Sequence, residues 1–270
     1  MHHPAHTGSQ RLVEQRHIRG PETVPDWQRI ARQQGHRQWP PPARPWLIRQ
    51  TWRELLFAHW PVAPSVLRPL IPARLELETF GGEAWVGVVP FELSGLSAHR
   101  GHPRLRLTFP ELNVRTYVTI QNKPGVWFFS LDAASLLAVL GARAAYHLPY
   151  YWAAMQMSGH DGWITYRSQR RDHTTARFAG RYRPTGPEFV STPGSLESWL
   201  TDRYCLYAAS PAGHILRADI NHDPWLLQPA EADIAENGMA AAQGIPLSGS
   251  PIVHFARRMD MVNWGPERVT

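Results

Sequence analysis

The stretch Phe109-Pro110-Glu111-Leu112-Asn113-Val114-Arg115-Thr116-Tyr117 carries the reading of the fold. In a strand, successive side chains point to opposite faces. Glu111, Asn113, Arg115 and Tyr117 therefore share one face, and Leu112, Val114, Thr116 and Val118 share the other. Leu107–Ile120 is predicted to be one long strand. Two arrangements satisfy the pattern. Either the polar face meets solvent over a single core, or it lines an interior pocket where a carboxyl, an amide and a guanidinium converge. In the second arrangement Glu111 supplies an acid or base and Arg115 holds an anion.

Downstream, Gln121-Asn-Lys-Pro-Gly125 is predicted to turn the chain, with Lys123 in the turn, and Val126–Leu131 to return it. Ala133–His147 has helical periodicity, with Leu136, Leu137, Leu140, Ala144 and Ala145 mainly on one apolar face. Arg143 and His147 are four apart and share a helix face. Pro149 stops the helix, so Tyr150 and Tyr151 open the next segment, where their hydroxyls could wall a pocket or simply pack. Trp152–Met157 and Trp163–Arg170 flank Gly159-His-Asp-Gly162 as a hairpin. Ala176–Arg183, Tyr204–Ala208, His214–Ile220, Leu226–Ala235 and Ile252–Trp264 are further strand candidates. Ser195 is placed to cap a short helix over Leu196–Thr201. Upstream, Pro64–Leu70 forms a short helix. Leu75–Thr79 and Trp85–Pro90, joined by Gly81-Gly82, form a hairpin. Ser97–Pro103 is a loop. Many antiparallel strands with a few separate helices define an α+β class, not a βαβ one.

The 270 residues carry a net charge of +6. Residues 1–44 hold seven arginines against Glu14, Glu22 and Asp26, so most of the excess lies there. A near-neutral body argues against a nucleic-acid footprint, which would be a clustered basic face. Residues 1–37 are predicted to be a disordered or loosely attached basic tail, with one short helix in Val24–Gln34. Residues 38–270 form a single domain. The most apolar stretch, Leu131–Tyr146, contains Asp132 and Arg143 and is too short to span a membrane. One cysteine, Cys205, excludes an internal disulfide and fits a cytoplasmic location. No phosphate-binding, nucleophile-elbow or zinc motif occurs, so no cofactor or metal is expected. His99-Arg-Gly-His102 fits a solvated loop better than a metal site, and Cys205 fits a buried apolar position.

Pro-Glu-Leu-Asn-Val-Arg-Thr-Tyr-Val, followed by Lys-Pro-Gly-Val-Trp-Phe-Phe-Ser-Leu-Asp-Ala and Ala-Arg-x-x-x-His-Leu-Pro-Tyr, resembles the YqjF-like family of bacterial proteins. Leu56–Trp60, Trp85–Phe91, Gly180–Gly186, Leu196–Tyr207 and His254–Arg258 extend the resemblance over about Trp39 to Val269. That family resembles acetoacetate decarboxylase in fold, which implies a mostly antiparallel β barrel or cone with a few helices packed outside and an interior site. The resemblance favours an inward Glu111, similar to the decarboxylases' pocket glutamate. The decarboxylases also carry Pro-Lys-Lys, whose first lysine forms a Schiff base. Here the similar run is Pro149-Tyr150-Tyr151. A phenol forms no imine, and the only lysine of the chain is Lys123.

The resulting expectation is a small carboxylate-bearing ligand in an interior pocket. Glu111, Tyr150 and Tyr151 would handle protons, and Asn113, Arg115, Arg143 and His147 would contact the ligand. Lyase-like chemistry without a Schiff base and non-catalytic binding on the same scaffold both stay open, as does a homo-oligomer.

Overall fold

The computed structural model describes residues 25–99, 106–172 and 175–269. In chain order the elements begin with α1 (Trp27–Arg32), β1 (Ile48–Val62), α2 (Pro64–Leu67), β2 (Glu76–Leu77), β3 (Ala84–Ala98), β4 (Leu107–Ile120) and β5 (Lys123–Ala133). They continue with α3 (Leu136–Tyr146), β6 (Tyr150–His160), β7 (Trp163–Arg170), β8 (Arg177–Pro184), β9 (Phe189–Val190) and α4 (Leu196–Thr201). β10 (Cys205–Ala209), β11 (Ile215–His222), β12 (Leu226–Asn237), β13 (Ile252–Asn263) and β14 (Glu267–Arg268) complete the fold. β1 is a long strand that no clean alternation marks. β2 pairs with β4 instead of forming the expected hairpin with β3; around Gly81-Gly82 only a Phe80–Glu83 bridge closes. The sheet is mixed, because β5 runs parallel to both β6 and β10.

Hydrogen bonding closes the sheet on itself twice. One circuit runs β5-β6-β7-β8-β12-β13-β1-β3-β4 and back to β5; the other runs β5-β10-β11-β13-β1-β3-β4 and back. The two share the arc β13-β1-β3-β4-β5. The larger circuit is filled by Leu56, Leu112, Val114, Tyr166, Phe178, Tyr182 and Phe255. Over their central parts the strands of the shared arc therefore have a filled circuit on one face and a hollow one on the other, and the choice between solvent and pocket for the polar side of β4 resolves as pocket. Leu112 and Val114 face the filled circuit, and Glu111, Asn113 and Arg115 face the smaller one.

Bulges bend this arc. The register of β1 against β3 breaks between Arg53 and Ala58, next to Glu54, whose φ is 51°. That of β3 against β4 breaks beside Gly95 at φ 67°. The β4–β5 register breaks opposite Phe129. Each extra residue increases local twist and swaps side-chain parity. Trp52 and Leu55 thus line one cavity from the same strand, as do Leu93 and Leu96. Two-residue turns with left-handed backbone join β4 to β5 at Gln121-Asn122 and β6 to β7 at Asp161-Gly162, the geometry that matches strand twist.

Three placements differ from the sequence reading. Lys123 begins β5 and is buried, its Nζ donating to Asp219 at 2.7 Å; the turn is the two residues Gln121 and Asn122, both at positive φ, and not the five predicted. Residues 25–37 are docked on the body. Ile30 packs with Trp46, Val262 and Trp264, and Arg37 is buried against Asp219 and Asn221. The tail expectation for residues 1–24, and His102 of the His99–His102 pair, lie outside the described residues; His99 packs on Trp46. Finally, α3 starts at Leu136 and is capped by Ser135, and it buries Val139 and Tyr146 while leaving Leu136, Leu137 and Leu140 exposed.

Arg170 of β7 holds Asp132 of β5 through Nη2 at 2.7 Å and Nε at 3.1 Å, both side chains buried. Removing one partner of such a pair leaves a buried charge uncompensated. Arg170→Met should destabilise the fold by about 3–5 kcal/mol in urea denaturation. Combining it with Asp132→Leu should recover most of that loss.

Candidate ligand-binding cavity

The smaller circuit encloses a cavity of about 390 Å³. Every strand of that circuit contributes to its wall, with α3 and the first residue of β6 closing one side. Most of the lining is aliphatic or aromatic, including Trp52, Leu93, Phe109, Phe128, Leu131 and Trp225. Trp52 stacks on Trp225 with ring centres 5.9 Å apart, which fixes both indoles.

Glu111 is 3% exposed. The Tyr150 hydroxyl donates to its Oε2 at 3.0 Å. Burial pushes the Glu111 carboxyl up to about 8; the Tyr150 hydrogen bond opposes this, and the nearby Asp132 charge adds to it. Glu111 is therefore a neutral acid at pH 7, able to donate a proton as well as accept Tyr150. Burial, then the Glu111 carboxyl, raises the Tyr150 phenol well above its ordinary value, so it stays protonated. Asp132 is held off the cavity by Arg170.

A second polar group lies farther along β4. Arg115 carries its guanidinium 5.3 Å from the Phe57 ring centre, and its Nη2 donates weakly to the Leu200 carbonyl at 3.4 Å. Its Nε has no protein partner, and among the described residues no carboxylate pairs with it. Asn113 Oδ1 and Arg203 Nη2 are also buried without partners. Arg203 is otherwise fixed by Glu78 and by the Trp199 carbonyl. Trp52 Nε1, also at the cavity wall, is a further unpartnered donor. A buried polar group without a partner costs stability, so four at one cavity mark a place where something else completes the bonding. Behind them the Tyr117 hydroxyl donates to the Leu200 carbonyl at 2.8 Å, so it must accept from His59 Nε2 at 2.7 Å. That fixes the His59 tautomer, and burial holds its ring neutral.

Of the residues singled out from sequence, Glu111, Asn113, Arg115 and Tyr150 meet at this cavity. Tyr151, Arg143 and His147 do not line it. The Tyr151 ring lies 3.6 Å below the Arg170 guanidinium, on the other face of β6. Arg143 is exposed, and its Nε donates to the Tyr150 carbonyl at 2.6 Å, tying α3 to β6. His147 is the exposed left-handed C-cap of α3 at φ 53°. The shared helix face of Arg143 and His147 points away because α3 presents Leu137, Ala138, Gly141, Ala142 and Ala145 to the cavity. Arg203, Trp52 and His222 belong to the lining without any local signal: Arg203 follows a helix end, and the other two sit in strands whose neighbouring residues mix polar and apolar types. Burial lowers His222 to about 4 and raises Cys205 to about 11, so neither is charged near neutrality. Among the described residues no cluster of three His, Cys, Asp or Glu could hold a metal, and no helix is long and apolar enough to cross a membrane.

A closed mixed sheet around an interior cavity, with few helices, is the acetoacetate decarboxylase-like architecture. Solved structures confirm the likeness. The enduracididine biosynthesis enzyme MppR with HEPES buffer bound superposes with a TM-score of 0.62 at 12% identity, over 84% of this chain and 89% of that one. Acetoacetate decarboxylase from Legionella pneumophila gives 0.59 at 12% identity, over 93% and 98%. At the sequence level, the DUF2071 family model, described as "Uncharacterized conserved protein (COG2071)", matches residues 49–260. Protein YqjF of Bacillus subtilis, described as uncharacterized, is 47% identical over 222 residues, covering 81% of this chain and 91% of that protein. The chain belongs to the DUF2071, YqjF-like family.

The raised Glu111 carboxyl makes a pH prediction. Between the ordinary glutamate value of 4.5 and about 8 the unfolded chain releases this proton while the folded chain keeps it. The unfolded state then binds fewer protons, so stability falls as pH rises through this window and levels off above pH 8. Glu111→Gln removes that slope. Relative to the unsubstituted protein, the variant should gain a few kcal/mol, about 1.4 per pH unit of the window, on going from pH 5 to pH 8.5, measured by urea denaturation at both pH values.

Proposed function

We propose that the chain binds a small organic anion in this cavity. The observation that carries the proposal is Arg115, a cation at an apolar wall with an unpartnered Nε and no carboxylate paired to it among the described residues. An anion there would complete the bonding of Arg115 and of Arg203 Nη2, and a carboxylate matches the planar guanidinium fork. Structures of MppR with pyruvate, and with the condensation product of pyruvate and imidazole 4-carboxaldehyde, point to a carbonyl-bearing carboxylate as the ligand class.

Glu111 and Tyr150, on the same wall four residues back along β4, would then face a carbonyl carried farther along the ligand. The Glu111 carboxylate, formed as pH rises through about 8, would take the proton from the carbon beside that carbonyl, while the Tyr150 hydroxyl donates to the developing enolate oxygen and lowers the barrier to enolisation. No amine is available for an imine, because Lys123 is bonded to Asp219 and does not line the cavity. The chemistry is acid–base and noncovalent, in the manner of a lyase that does not use a Schiff base. A second reading, binding without turnover, is favoured by the protonation of the lining groups: Glu111, Tyr150, His222 and Cys205 all hold their neutral forms at pH 7, which leaves no ready base.

Thermal denaturation with pyruvate, acetoacetate and longer 2- and 3-oxo acids tests the site. Binding ligands should raise Tm, and Arg115→Gln should abolish the rise without lowering the ligand-free Tm by more than a few degrees. Ligand shifts that persist unchanged in Arg115→Gln would falsify the placement. Deuterium exchange at the ligand's α-carbon, followed by NMR, separates the two readings: acid–base catalysis requires exchange that Glu111→Gln slows by about 10²–10⁴-fold, and binding alone gives none.

A further inference from the structure

The cavity is graded along β4, and the gradient identifies more than an anion. At one end stand Arg115, Asn113 and Arg203, with the last two 5% exposed. Glu111 is four residues before Arg115 on β4, about 13 Å at 3.3 Å per residue. Another four residues back is Leu107, which pairs with Leu96 of β3. The exposed lining residues gather at this opposite end: Leu47 is 46% and Leu137 is 70% exposed, with Ala98 and Ala145 also open to solvent. The anion-binding groups are therefore at the closed base, the Glu111–Tyr150 pair is midway, and the mouth is apolar. Between pair and mouth the wall is Phe91, Leu93 and Phe109.

A two- or three-carbon oxo acid seated on Arg115 would leave this upper wall wet. From base to mouth the cavity has room for about thirteen waters at roughly 30 Å³ each. Leu137, exposed on α3 although an apolar residue would ordinarily turn inward, also makes sense at the rim of an apolar entrance.

We infer that the ligand is amphipathic: a carboxylate with an unbranched or aromatic apolar tail of several carbons, head at Arg115 and tail toward Leu137. This rests on the anion-binding reading above and goes beyond it in substrate class and orientation. The carboxylate enters first, and the tail displaces water from Phe91, Leu93 and Phe109 as it passes the Glu111–Tyr150 pair.

Isothermal titration of the full chain with acetate, butyrate, hexanoate, octanoate and decanoate, and with 1-octanol, tests this. The expected result is a Kd falling about fourfold for each added methylene, the factor equivalent to about 0.8 kcal/mol, until the cavity is full. Octanoate should bind at least tenfold tighter than 1-octanol. In Arg115→Gln the carboxylates should weaken by a common factor, with the slope against chain length unchanged. A Kd independent of chain length, with acetate or pyruvate bound as tightly as octanoate, overturns the amphipathic assignment while leaving the anion site intact. Equal affinity for octanoate and 1-octanol overturns the orientation. Absence of binding by every carboxylate, pyruvate and acetoacetate included, overturns the anion site itself.

Discussion

The double burial of the arc β13-β1-β3-β4-β5 governs everything else in this fold. A sheet with one wet face tolerates polar residues by turning them outward. β4 has no wet face to use, because the filled circuit takes Leu112 and Val114 while the hollow one takes Glu111, Asn113 and Arg115. Polar groups set against the hollow circuit lose water unless the cavity supplies a partner. The raised Glu111 carboxyl and the orphaned atoms of Asn113 and Arg115 are consequences of that one constraint. A dividing wall has to carry a useful face on each side, so its sequence alternates more sharply in character than a surface strand needs to.

This explains which features were legible in the sequence. β4 shows clean period-two alternation over its whole length because the bulges that bend the arc fall on its neighbours β1, β3 and β5. Its strand limits and its inward residues could therefore be read directly. β1 is harder to recognise for the converse reason: the irregularity at Glu54 reverses parity, so Trp52 and Leu55 face the same way and the alternation dissolves. The choice of pocket over solvent for Glu111 was not a local property at all. It came from the family resemblance, and the closure of the smaller circuit supplies the physical reason.

The site was half legible. Tyr150 opens β6 and so reaches Glu111, whereas Tyr151, one residue on, must take the other face, where Arg170 covers it. Both tyrosines look alike in sequence, and only strand alternation from a known start separates them. Arg143 and His147 were candidates because a helical repeat put them together, but α3 turns Leu137 and its small residues toward the cavity and leaves Leu136 and Leu140 exposed. Arg203 reaches the cavity held by the Trp199 carbonyl four residues before it and by Glu78, which lies far away in sequence. No window of sequence contains that information. Lys123 keeps its importance in a changed role: it joins Arg37 and Arg217 around the buried Asp219, fastening the docked N-terminal residues to the β11 strand.

The two circuits also decide how the sheet ends. At the ends of its strand order, and off that order against β12, stand β2, β14 and β9, each only two residues long. Two of the three carry charge, Glu76 in β2 and Glu267-Arg268 in β14. A foreign strand needs a long, flat row of unpaired backbone groups to dock, and these stubs present almost none. Ring closure gives the protein its hollow interior, while β6 beyond Trp152 and β12 beyond Pro229 extend past their short pairings with β5 and β13.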